Sequence, residues 1–211
     1  MAAAQTTRDA KLVQYLTEAY GTEKQLEAAL EAHIAMTSRA AYKKRLRQHL
    51  TETKRHAREV EKRIKRLGGS SALGEVAVSA QGLAGKALAA AHGPLHAVRG
   101  TGEAEKELKN AKTEYASEAE EIATYAAIEA LAANVGDRDT ERLARAIRRE
   151  EERMARYLER LIPTLSRAVA TAEIPAGERN AGRTRRRRST ARRSTPRKRP
   201  ARTKTQKARS R

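Results

Sequence analysis

Apolar residues recur along much of the chain at alternating steps of four and three, the spacing that gathers side chains onto one face of an α-helix. Leu12, Leu16, Ala19, Glu23, Leu26, Leu30 and His33 form the first such stripe and predict a helix over roughly 8–35. Leu46, Leu50, Thr53, Ala57, Val60, Ile64 and Leu67 form a second over roughly 39–67, which Gly68-Gly69 should end. A third, over roughly 103–135, repeats at Leu108, Ala111, Tyr115, Glu118, Ile122 and Tyr125. Gly136 then offers a C-terminal stop and Asp137 an N-cap, so a fourth helix starts at once and must run antiparallel to the third. It carries Leu143, Ile147, Glu150 or Glu151, Met154, Leu158 and Leu161 before Pro163, where a kink or restart is expected.

Between the second and third helices lie residues 68–102, with eight glycines, one proline and a weak apolar pattern at Leu73, Val76, Ala80, Leu83, Ala87 and Leu88. A segment of that length can traverse a whole bundle, and a short helix within it is expected. Two antiparallel hairpins joined by one long crossover predict an all-α, ferritin-like antiparallel four-helix bundle. With no Phe and no Trp, its core must be Ala, Leu, Ile and Val packed closely, and aromatic platforms for stacking single strands or RNA bases are excluded.

Charge divides the chain into a bundle at residues 1–172 and a tail at 173–211. The tail holds sixteen Lys or Arg against Glu173 and Glu178, a net +14 out of the chain's +19. Residues 179–211 carry no acid and too little apolar surface to offset chain entropy, so disorder is expected there. Arg185, Arg186, Arg187, Arg188, Arg192, Arg193, Arg197, Lys198 and Arg199 look like a histone tail in composition and predict non-specific, salt-sensitive binding to DNA. No Cys is present, which excludes disulfides and thiolate metal sites. No signal peptide or membrane span is recognisable, so the expectation is a cytoplasmic, nucleoid-associated protein without a membrane partner.

Acids inside the apolar stripes change this picture of a plain bundle. Glu23 interrupts the first apolar stripe at mid-length, Glu118 the third with Glu121 on the same face, and Glu150 and Glu151 the fourth. His49, Glu52 and His56 lie on a strip beside the second stripe. Acids are almost never buried without partners, and like charges converging in a low-dielectric core oppose ionisation unless cations hold them. Carboxylates with imidazole suit a dinuclear iron or manganese centre better than soft-ligand metals. Tyr20, Tyr115 and Tyr125 lie one turn from these acids, within reach of a hydrogen bond; His33 needs no functional explanation.

The stretches Ala-Tyr-Gly-Thr-Glu-Lys-Gln-Leu at 19–26, His-Leu-Thr-Glu-Thr-Lys-Arg-His at 49–56 and Glu-Ala-Glu-Glu-Ile-Ala-Thr-Tyr at 118–125 resemble the YciE/YciF family of ferritin-like proteins, over roughly residues 8–170. The resemblance implies metal ligands at Glu23, Glu52, His56, Glu118, Glu121 and either Glu151 or Glu150, a homodimer, and a link to stress responses. Family members often place an Asp four residues after the helix-four glutamate; Ala155 stands there here, which implies a second ion held more weakly, or through Glu150 or water.

Two functions follow as expectations. One is a metal-binding oxidoreductase acting on oxygen or peroxide, tethered to DNA by its tail for protection against oxidative stress. The alternative is a nucleoid-associated DNA-binding protein whose bundle is a structural dimerisation body without turnover. No catalytic residue can be singled out, and nothing points to a cage-forming store.

Overall fold

The computed structural model describes residues 5–69 and 102–179. The crossover with its expected short helix, and the tail from residue 180 with its nine candidate DNA-binding residues, lie outside the described residues. Four long helices are present: α1 (Thr7–Met36), α2 (Ala40–Arg66), α3 (Glu103–Asn134) and α4 (Arg138–Glu173). The chain divides into two units, Met1–Ala172 and Glu173–Arg211, and the first is the bundle.

Contacts between side chains give the directions of the helices. Gln5 reaches the Leu67 carbonyl and Lys54 pairs with Glu31, so α1 and α2 are antiparallel. Arg63 bonds Asp137 and Thr140 while His56 meets Glu151, so α2 and α4 are antiparallel too. Arg39 pairs with Glu107 and His49 with Glu118, the partners advancing together, so α2 and α3 are parallel. Consecutive helices that run parallel set this bundle apart from a simple up-and-down one, as the ferritin-like arrangement requires.

The helix ends are set locally and, in one case, from a distance. Thr6 caps α1 by accepting from the Asp9 amide at 3.1 Å. Gly68 at φ +83 and Gly136 at φ +73 supply the left-handed residues that end α2 and α3. Asp137 accepts the Thr140 amide at 3.1 Å and caps α4 as expected. The N-terminus of α2 has no cap of its own. Glu107 of α3 supplies it, its Oε1 accepting from the Ser38 amide at 3.1 Å and the Arg39 amide at 2.7 Å.

Pro163 lies inside α4, which continues without a restart to Glu173, with Leu165 fully buried in the same apolar cluster as Leu26, Leu30, Tyr42 and Leu158. One feature differs from the pattern reading. The buried face of α3 is rotated from the expected stripe: it runs through Glu107, Ala111, Glu114, Glu118, Glu121 and Tyr125, leaving Ile122 half-buried and Tyr115 39% exposed. The burial of Glu114 against His33 and of Glu107 at the start of α2 sets that rotation.

The core separates into two apolar clusters. One gathers Leu12, Leu16, Val60, Ile64, Ile128 and Ile147; the other Leu26, Leu30, Tyr42, Leu46, Met154 and Leu158. Between them every helix places polar residues that are almost wholly buried: Glu23, then His49, Thr53 and His56, then Glu118 and Glu121, then Glu151.

Candidate metal centre

The belt exists because each acid or imidazole occupies a position where the 3.6-residue period points inward and the helix cannot turn it out without exposing its apolar neighbours. Glu23 lies between Tyr20 and Leu26, and Glu151 between Ile147 and Met154, all of them buried. On α2, His49 and His56 bracket Thr53 between the buried Leu46 and Ala57.

Two groups of candidate ligands result, each with its ligand atoms within 4.8 Å of one another: His49, Glu118, Glu121 and Glu151, and Glu23, His56 and Glu151. Glu151 belongs to both. Its Oε1 is 2.9 Å from His56 Nδ1 and its Oε2 is 3.7 Å from His49 Nε2, so one carboxylate faces both histidines. His49 Nε2 also lies 2.8 Å from Glu118 Oε1, and His56 Nδ1 3.6 Å from Glu23 Oε1. The Tyr125 hydroxyl donates to Glu23 Oε1 at 2.5 Å.

Each histidine turns its other nitrogen to a carboxylate at the edge of the belt. His49 Nδ1 is 3.4 Å from Glu52 Oε2, and His56 Nε2 is 3.0 Å from Glu150 Oε2. An imidazole that donates its outer N–H to a carboxylate turns a lone pair inward, the orientation a metal ligand needs. The two edge acids are themselves held, Glu52 by Arg45 at 3.0 Å and Gln48 at 3.2 Å, Glu150 by Arg55.

The electrostatics are those of groups that need a cation. Burial pushes the carboxyl of Glu118 up to about 8 and raises Glu23; it raises Glu121 well above the ordinary carboxylate range, with the neighbouring charges of Glu23, Glu151 and Glu118 adding to the effect. Burial opposes charge on the histidines, but carboxylates win: Glu151 and Glu23 hold His56 protonated up to about 10, and Glu118 and Glu52 raise His49 well above its usual value. Glu151 is lowered, burial being outweighed by the two imidazoles. At the edge, His49 and Arg45 overcome burial and hold Glu52 down to about 2.

The donor set fits a metal ion. Both carboxylate oxygens of Glu118, Glu121 and Glu151, Glu23 Oε2, His49 Nε2 and His56 Nδ1 are buried without a hydrogen-bond partner among the described residues. Leaving that many polar atoms unmatched is costly, and carboxylate oxygens with imidazole nitrogens are donors that could hold a cation. The residue three beyond Glu118 is Glu121 and three beyond Glu151 is Met154, so both imidazoles come from α2 rather than one from each of two Glu-x-x-His helices.

Of the eight candidate ligands, Glu23, His49, His56, Glu118, Glu121 and Glu151 meet in the two groups, while Glu52 and Glu150 lie on the outer nitrogens of the histidines. Tyr125 reaches an acid of the belt; Tyr115 points toward solvent. His33 is buried and pairs with Glu114, a contact with no signal in the sequence beyond a histidine at the end of a stripe. Glu107 and Glu114 were legible only through the seven-residue repeat that they form with Glu121.

A family model described as "Domain of unknown function (DUF892)" matches residues 7–171. Three solved structures share the fold: a protein from Xanthomonas campestris (23% identity, TM-score 0.60, covering 79% of this chain and 97% of that one), YcfI from Rhodopseudomonas palustris (22%, 0.59, 75% and 97%) and the E. coli stress protein YciF (22%, 0.60, 77% and 98%). No curated protein matches the chain. No helix among the described residues is long and apolar enough to cross a membrane.

Proposed function

The chain belongs to the DUF892 family, of the YciE/YciF type, and from that premise we propose that it is a ferritin-like protein holding two iron or manganese ions, protective under oxidative stress and carried on DNA by its basic tail. One observation carries the metal part: Glu151 is common to two ligand groups in which every buried carboxylate oxygen but Glu23 Oε1 has no hydrogen-bond partner among the described residues. The stress role is supported by the fold shared with YciF, which is described as a stress protein.

Bound in the belt, such ions would supply electron transfer to oxygen or peroxide. The chain's own residues do the rest. Glu23, His56 and Glu151 would hold one ion, and His49, Glu118, Glu121 and Glu151 the other. Glu52 and Glu150 fix the imidazoles, Tyr125 fixes Glu23, and the apolar clusters on either side keep bulk water out.

Metal analysis of purified protein is the first test. About two ions per chain are expected for the wild type and fewer for Glu151→Ala; identical low content in both defeats the metal reading. Iron-loaded wild type should consume peroxide faster than Glu23→Ala, and equal rates would remove turnover while leaving binding. Deleting residues 179–211 should abolish retardation of duplex DNA with metal content unchanged; retained binding assigns DNA contact elsewhere. Homodimerisation is part of the same proposal. It is supported by Tyr115, Ala119 and Ala126 exposed along one face of α3, and light scattering checks it.

The concentration of charge in the tail favours a second reading, a nucleoid-associated protein whose bundle is a dimerisation body. It predicts DNA binding and dimers that are indifferent to chelators.

A further inference from the structure

Helical serine and threonine hydroxyls can satisfy themselves by bonding back to the carbonyl four residues earlier. Thr22 does so with Glu18 at 3.3 Å, Thr51 with Arg47 at 3.1 Å, Ser117 with Thr113 at 3.3 Å and Thr171 with Arg167 at 2.9 Å. Thr53 does not. It is completely buried in the middle of α2, and its Oγ1 has no hydrogen-bond partner among the described residues. Thr51, two residues earlier on the solvent side, shows that the helix itself permits the bond.

The position of Thr53 tells what its hydroxyl is for. At about 1.5 Å of rise per residue it sits some 6 Å along the axis from His49 and about 4.5 Å from His56, on the same face. It is therefore level with the interval between the two ligand groups. In that belt the unpartnered oxygens of Glu118, Glu121 and Glu151 are acceptors only when ionised, and Thr53 offers a donor that bonds none of them directly. A hydroxyl and a set of carboxylates left unmatched in one closed layer are both satisfied by a single small guest with a lone pair for the hydroxyl and affinity for the cations. Buried polar sites of this kind hold water-sized ligands when two or more polar partners converge.

We propose that Thr53 donates a hydrogen bond to a small exogenous ligand, of the class of water, hydroxide or a triatomic anion, seated between the two ligand groups. The inference rests on the metal reading above and deepens it: Thr53 is a binding residue for the ligand the ions would share, not a ligand to the ions. It predicts that substitution leaves metal uptake untouched and changes what the loaded centre binds.

The test uses full-length protein loaded with Co(II), with azide as the small-anion probe and the visible absorption of cobalt as the readout. Wild type, Thr53→Val and Thr53→Ser should take up the same amount of cobalt. Azide affinity should fall about tenfold or more in Thr53→Val, the loss of one well-placed hydrogen bond to a charged acceptor, and recover in Thr53→Ser. Metal-free Thr53→Val should melt no lower than wild type, because its methyl replaces an unsatisfied hydroxyl. Unchanged azide affinity in Thr53→Val, or a Thr53→Ser that behaves like Thr53→Val, overturns the proposal while cobalt uptake leaves the metal reading standing. A lower melting temperature for metal-free Thr53→Val also overturns it, since the hydroxyl would then have an internal partner. Failure of wild type to bind cobalt overturns both.

Discussion

The belt and the apolar clusters that flank it are cut from the same four helices and the same inward-facing stripes, yet they do opposite work. Leu12, Ile64 and Ile128 above the belt and Leu30, Leu46 and Leu158 below it remove apolar surface from water and pack, which is what holds the helices together. Between them Glu23, Glu118, Glu121 and Glu151 take up the equivalent positions and bring desolvation and mutual repulsion instead. The bundle can carry such a layer because each end is a closed apolar cluster. The stability of the ends lets the middle be built for binding rather than for folding.

Substitutions that exchange the character of the two regions test this contrast. The largest expected effect is in an apolar cluster: Leu158→Ala should destabilise the protein by about 2–5 kcal/mol, with or without metal, as read by denaturant melts. In the belt the sign should reverse. Glu121→Met should stabilise the metal-free protein by about 1–4 kcal/mol, as seen when buried charges give way to apolar side chains of similar volume. It should also abolish the rise in melting temperature that added metal produces in the wild type. If Glu121→Met melts lower than wild type without metal, the belt is not under electrostatic stress and the contrast fails.

Acidity gives a subtler test. His56, held protonated up to about 10, contributes stability to the metal-free protein that is fully present below its ordinary value near 6.5 and is lost as pH rises through about 10. Metal needs the same nitrogen unprotonated, so metal affinity should increase over that window while metal-free stability declines. Because His49, Glu118 and Glu121 are raised as well, uptake at neutral pH should release protons, measurable by calorimetry in two buffers of different ionisation heat. Glu52→Gln should weaken metal binding by about 10–100-fold without preventing it, the usual effect of disturbing the partner of a ligating histidine. Smallest of all, Glu107→Ala should cost about 0.5–2 kcal/mol through the uncapped start of α2 and leave metal content alone.

Local rules made most of the bundle legible. The stripes, the Gly68 and Gly136 terminators and the Asp137 cap all act within a turn or two of chain, and helix bounds read from them fall close to those observed. Pro163 left a kink and a restart both open, and the burial of Leu165, a tertiary effect that outweighs a missing amide, accounts for the helix running on. The rotation of α3 misled for a related reason: Tyr115 and Ile122 are the more apolar choice at their positions, but Glu107 and Glu114 are drawn inward by partners seventy to eighty residues away in sequence. At the site, the carboxylates that interrupt apolar stripes were readable because periodicity alone places them. Which member of Glu150 and Glu151 faces inward depends on a few tens of degrees of helix rotation, and that is fixed only by packing.

The parallel course of α2 and α3 has a consequence for how the protein is assembled. The hairpin of α1 and α2 supplies Glu23 and both imidazoles, whereas that of α3 and α4 supplies three acids, so neither half owns a complete set. A metal bound there would therefore act as a clasp between the two hairpins, and before it arrives the protonated histidines of one would serve as provisional counter-charges for the acids of the other.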